Sequence, residues 1–261
     1  MRQSSKTLAL WVVLIVVFFA FYTWSSRVPA PGAHGDRNGV LSSWLFVLVG
    51  VAVLGAFVVW VRRARRGVDT INEGVSLLGQ GRLVQALEKF ERAADQSGQY
   101  RGVVDFNVGV TRLHLWRLEG ALEALGQASK SLAPAQRKAL PLAETMGLAQ
   151  ALLGQTAQAQ EALVQSKPAV SVGGLRTLVT AVIAARAGRA MEAFTRLSQP
   201  EVKQLGGMPR ALADTLRAFL VFQDRGERWP VDRIALFGES GPEQLQKVWP
   251  ELAAFVEQAP S

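Results

Sequence analysis

Residues 74–94 read GVSLLGQGRLVQALEKFERAA. Small residues at Gly74, Gly81, Ala86 and Ala93 frame one aromatic, Phe90, and the intervals hold Leu, Gln, Glu, Lys and Arg, which are good helix formers. The spacing predicts two antiparallel helices. Gly74 and Ala86 mark where the two approach closely, Gly81 belongs in the turn between them, and Phe90 fills the space below.

The same offsets recur along the chain. A second set is Gly109, Ala121, Leu125 and Ala128, with Trp116 where the turn glycine stood. The third is Gly147, Gly154, Ala159 and Leu163, and the fourth is Ala181, Gly188, Ala193 and Leu197. Successive first positions lie 35, 38 and 34 residues apart. Pro134, Pro168 and Pro200 punctuate the ends of the second, third and fourth copies, as proline favours helix boundaries. Beyond Pro200 the register fades. Met208 to Arg225 still reads as a helix, with Leu212, Leu216, Phe219 and Leu220 at helical spacing and a stop at Arg225-Gly226-Glu227. Pro242 to Gln258 reads as a last helix carrying Leu245, Val248, Trp249, Leu252 and Phe255 on one side. A repeat array needs terminal units that cover its last apolar face, so residues 201–261 are expected to form a C-terminal helical cap.

Over residues 67–200 the chain resembles the tetratricopeptide repeat (TPR) family, in about four degenerate copies. Residues 74–94 carry the family's Gly, Gly, Ala, Phe and Ala, whereas its early Trp position is Thr70 in the first copy and Asp105 in the second. The resemblance implies an all-α, right-handed α-solenoid in which the first helix of each repeat lines a concave groove. It places Val68, Ile71, Val75 and Leu78 on that groove in copy one, and Val103, Phe106, Val110, Leu113 and His114 in copy two. Glu144 and Leu148 follow in copy three, then Leu175, Leu178, Val182 and Arg186 in copy four. This mostly apolar lining suits an amphipathic helix or apolar peptide from a protein partner. The family's carboxylate clamp needs Lys, Asn and Arg at such places, and only Asn107 points that way. Whether the groove is open or filled by the chain's own C-terminal helix is not decided by the sequence.

Residues 1–66 have another character. They hold 8 Lys/Arg against one Asp, a charge of +7, whereas residues 67–261 hold 21 Lys/Arg against 20 Asp/Glu, a charge of +1. Leu8 to Trp24 is seventeen residues without charge, Gly or Pro, and Val40 to Val61 is twenty-two residues whose clearly polar members are Ser42 and Ser43. As helices they would extend about 26 Å and about 33 Å. Both read as transmembrane helices, about 8–24 and 40–61, in a hairpin anchor, with Trp11, Tyr22, Trp24, Trp44 and Trp60 mostly near the ends. A cleaved signal peptide is the alternative for the first run, since Arg2 and Lys6 precede it and Val28-Pro29-Ala30 follows it. Arg62, Arg63, Arg65 and Arg66 abut the second span, so the positive-inside rule predicts both termini and the repeats in the cytoplasm, as for a bacterial inner-membrane protein. The same arginines suit anionic lipid headgroups, and Ala52 and Ala56 suit helix contacts or oligomerisation within the bilayer. KTLALWVVLIVVFFAFY, residues 6–22, is similar to the first transmembrane segment of membrane-anchored AAA+ zinc proteases. The chain has neither that family's GxxxxGK[ST] phosphate loop nor its HExxH zinc motif, so the activity is not carried over.

Little chemistry is legible elsewhere. Cysteine is absent, which removes disulfides, thiol nucleophiles and Cys-bound zinc. His34 and His114 are too far apart to form a metal site together, and His114, between Leu113 and Leu115, reads as a partly buried helix residue. Glu88, Glu91 and Asp95 fall on one helix face as solvated acids. A repeat region at +1 has no large electrostatic attraction for phosphates, so no nucleic-acid partner is expected. The expectation is a membrane-tethered protein–protein interaction scaffold without catalytic residue, metal or cofactor. The alternative is a non-catalytic adaptor subunit of a membrane complex that makes its contacts through the hairpin.

Overall fold

The computed structural model describes residues 55–56, 67–95, 100–165, 173–238 and 240–260. The chain divides into two units, residues 1–63 and 64–261. Within the first, Gly55 and Ala56 alone are described, so the two apolar runs, the hairpin they were expected to form and Arg62, Arg63, Arg65 and Arg66 otherwise lie outside the described residues. Among the described residues no helix is long and apolar enough to cross a membrane. This corrects the expectation of an integral membrane protein with two spans and a cytoplasmic repeat domain. The longest described helix, Gly207–Arg225, has 19 residues and would extend about 28 Å. It carries Arg210, Asp214, Arg217, Asp224 and Arg225, and charges at bilayer depth are costly.

The described part of the second unit is all-α, with no strand among the described residues. The helices are α1 (residues 67–79), α2 (Leu83–Ala94), α3 (Arg101–His114), α4 (Leu118–Ser131), α5 (Pro134–Ala139), α6 (Leu142–Leu152) and α7 (Thr156–Gln165). They continue as α8 (Gly173–Arg186), α9 (Ala190–Leu197), α10 (Pro200–Lys203), α11 (Gly207–Arg225), α12 (Arg233–Phe237), α13 (Glu243–Val248) and α14 (Pro250–Gln258).

Four helix pairs, α1/α2, α3/α4, α6/α7 and α8/α9, share one turn. Its central residue is left-handed each time: Gly81 at φ 77°, Trp116 at 56°, Gly154 at 80° and Gly188 at 71°. The N–H of that residue donates to the carbonyl three back, at Leu78, Leu113, Ala151 and Ala185. The next N–H, of Arg82, Arg117, Gln155 and Arg189, donates five back, to Leu77, Arg112, Gln150 and Ala184. These bonds close the last carbonyls of the first helix as in a Schellman cap. The carbonyls of Arg82, Arg117, Gln155 and Arg189 then accept from Ala86, Ala121, Ala159 and Ala193, which start the second helices and have no exposed surface. The small-residue offsets in the sequence are therefore the period of this turn and of the close contact above it.

That contact is tight in the first two pairs. A Cβ added to Gly74 would lie 2.6 Å from the Phe90 ring, and one on Gly109 would lie 2.5 Å from Cγ of Leu125. Gly102 meets the backbone of Ser131 and Leu132 at the other end of α3 and α4, which fixes the pair as antiparallel. The longer step from Gly109 to Gly147 is explained by α5, which Pro134 opens at its first helical position while the Ala133 N–H donates to Oε1 of Gln136 at 3.1 Å.

The helix expected from Met208 to Arg225 is α11, stopped by Gly226 at φ 72°, whose N–H donates to the Phe222 carbonyl at 2.8 Å. The last helix expected from Pro242 to Gln258 is instead two. Pro250 lacks an N–H and restricts Trp249 before it, which sits at φ −149°, ψ 76° between α13 and α14. Between the two expected C-terminal helices lies α12, for which no helix was expected; its N-cap is the Asp232 carboxylate, accepting from the Ala235 N–H at 2.8 Å.

Candidate partner groove

The residues projected onto the groove fall into three groups. Val75 is 47% exposed, and Val68, Leu78, Val103, Asn107 and Val110 on α1 and α3 are half-buried, Leu78 against the cluster of Phe90 and Val103 and Val110 against that of Leu125. Ile71 and Phe106 are buried between helices: Ile71 shares a cluster with Phe90, Val104 and Val108, and Phe106 packs with Leu125, Leu132 and Leu142. They are core of the first and second pairs rather than lining. Leu113, Leu148, Leu178 and Val182 are also buried, in a larger cluster that includes Leu212, Leu216, Phe219, Leu236, Trp249, Leu252 and Phe255. The C-terminal helices thus share one core with this part of the expected groove.

The polar members follow the same division. Arg186 is half-buried, and its guanidinium carbon stands 4.2 Å from the centre of the Trp249 ring. One of its η nitrogens donates to the carbonyl of Leu152, at the end of α6. Burial lowers its pKa, and the charge of Glu251 opposes the shift. His114 is half-buried, and its Cε1 lies 4.0 Å from where a Cβ on Gly207 would stand, at the start of α11. Burial lowers its imidazole pKa from 6.5 to about 4, so it is neutral at pH 7. Glu144 is buried and paired with Arg176 on α8 at 3.4 Å, so it ties the third pair to the fourth instead of facing a ligand. Leu175 is half-buried against the large cluster.

Sequence reasoning missed the residues that bring the C-terminal segment back onto the array. Trp116 is fully buried, and its indole N–H donates to the Leu236 carbonyl at 2.9 Å. Its ring centre lies 5.8 Å from that of Phe237. The Ser240 hydroxyl donates to the Leu115 carbonyl at 3.0 Å. The one available signal was Trp116 itself, a large residue held in a left-handed turn that ordinarily costs about 1–2 kcal/mol outside glycine.

A cleft of about 230 Å³ lies between α11 and the segment that leads into α12. Its polar side chains are already engaged with one another or with backbone. Nε of Arg210 donates to Asp214 at 2.7 Å, the Thr215 hydroxyl donates to the Ala211 carbonyl at 2.7 Å, and Asp232 caps α12. Among the described residues no group of three or more His, Asp or Glu is gathered as a metal site would require. The structure offers a surface, half open and half filled, and no match to any family model, curated protein or solved structure accompanies it.

Proposed function

We propose that this chain is a TPR-like α-solenoid that serves as a protein–protein interaction scaffold, receiving an apolar peptide or the apolar face of a helix on the concave side of its first two helix pairs. The observation that carries the reading is the contrast at one lining position. Val75 is 47% exposed in the first copy, whereas its equivalents Leu148 and Val182 are buried under the chain's own helices. Val68, Leu78, Val103 and Val110 extend the apolar strip along α1 and α3, and Asn107 supplies one amide for a ligand backbone. An exposed valine alone is ordinary; a strip repeated on two neighbouring first helices is what a docking groove requires.

Affinity capture with the full-length chain tests the reading. Introducing Val75→Glu and Val68→Glu together places charge on the strip at two positions outside the Phe90 and Leu125 clusters, and it is expected to abolish capture of a partner held by the unaltered chain. A partner retained by that double variant, with the helical fold intact by circular dichroism, would place recognition elsewhere.

A further inference from the structure

In a repeat array each unit contacts its neighbours, so the first unit is ordinarily held on one side. Here the first pair packs on the second through Ile71, Leu77, Leu83 and Phe90 against Val104, Val108 and Leu115. A second hold comes from the far end of the chain, where α12 stops. Gly238 stands so close to Leu83, at the start of α2, that a Cβ added to it would lie 3.0 Å from Cδ1 of that leucine. The Ser240 hydroxyl donates to the Leu115 carbonyl at 3.0 Å, and the Ser240 N–H donates to the Phe237 carbonyl at 2.9 Å. Just before them, the Leu236 carbonyl accepts from the Trp116 indole, and the Phe237 ring lies beside the same side chain. Leu83 and Leu115 belong to the core of the first pair, while Trp116, Leu236 and Phe237 belong to the large core of the third and fourth pairs. One short stretch of chain thus touches both cores.

We propose that Leu236, Phe237, Gly238 and Ser240 form a clasp that holds the first pair to the rest of the array and so pre-sets the apolar strip shared by α1 and α3. The strip crosses the junction of two pairs, with Val68 and Val75 on α1 and Val103 and Val110 on α3. Its shape therefore follows how the two pairs are set against each other. A surface fixed before binding loses less conformational freedom when a partner arrives. The four residues act on the strip from outside it, as positioning residues. The value of the clasp for binding rests on the scaffold reading above, but its hold on the first pair is measured with no partner at all, so the two fail separately.

Native-state hydrogen exchange on the full chain tests the clasp by comparing equivalent amides. Those of Arg82 and Ala86 are bonded in the turn of the first pair, and those of Gln155 and Ala159 in the turn of the third. Ser240→Ala removes one hydrogen bond, and Gly238→Ala sets a methyl against Leu83 at a residue with φ 57°. Each substitution is expected to speed exchange at Arg82 and Ala86 about fivefold while leaving Gln155 and Ala159 unchanged. The two together should act further in the same direction. A stretch that only adds to overall stability would shift all four amides by one common factor, and that result overturns the proposal. Exchange at Arg82 and Ala86 that stays unaltered in either single variant overturns it as well.

Discussion

The first two helix pairs and the last two are built on the same turn, yet they differ in both faces of the first helix. Toward the second helix, Gly74 and Gly109 leave no room for a Cβ, whereas one on Gly147 would meet its nearest neighbour at an ordinary 3.4 Å and the fourth copy already has Ala181. On the face away from the second helix, the first two pairs keep Val75 exposed and Val68, Leu78, Val103 and Val110 half-buried, and the last two bury Leu148 and Val182 in the core shared with α11 to α14. The repeat spacing therefore sets the helix pairs but not their surface: equivalent positions are exposed or half-buried in one half and core in the other.

The largest test of that contrast compares equivalent lining positions. Leu148→Ala empties a fully buried site and is expected to cost about 2–5 kcal/mol in denaturant unfolding, while Val75→Ala is expected to change stability by less than about 0.5 kcal/mol. Similar losses at both would erase the distinction between the halves.

His114 stands beside Gly207, where the second pair meets the start of α11. Its folded pKa of about 4 lies below the ordinary 6.5, so the unfolded chain binds the extra proton between those values. Stability is therefore unaffected by His114 above pH 6.5 and falls as pH drops toward 4, by at most about 3 kcal/mol. His114→Gln should remove that part of the pH dependence, measured as the difference in unfolding free energy between pH 7 and pH 4.5.

Glycine substitutions sharpen the comparison at the helix contacts. Gly109→Ala forces a methyl against Leu125 and the Ala121 carbonyl and is expected to cost about 1–3 kcal/mol. Gly147→Ala has ordinary contact distances and a better helix former, so it should be neutral or stabilising by up to about 1 kcal/mol. Gly188→Ala isolates the turn from the helix contact. Nothing lies near its Cβ, and the positive φ alone should lower stability by about 1 kcal/mol.

The helix pairs were legible because their cause is local. Turn, alanine start and close glycine contact all fall within about half a repeat, so their spacing prints directly on the sequence, and even Trp116 keeps the place of the missing glycine. The filling of the second half was not legible, since it depends on contacts such as Trp116 with Leu236, 120 residues away. Phe106 illustrates the limit of projection: the family position makes it lining, but Leu125 and Leu142 enclose it. The break at Pro250 was readable in principle, as proline restricts the residue before it, and the continuous apolar side from Leu245 to Phe255 concealed it.

The difference in exposure between Val75 and its equivalents Leu148 and Val182 is directly measurable, because the chain has no cysteine of its own. Single substitutions Val75→Cys, Leu148→Cys and Val182→Cys in the full-length chain would be reacted with a thiol-selective label under native conditions. The account predicts rapid labelling at position 75 and labelling at 148 and 182 that is at least tenfold slower, limited by opening of the fold. Equal rates at the three positions would contradict it.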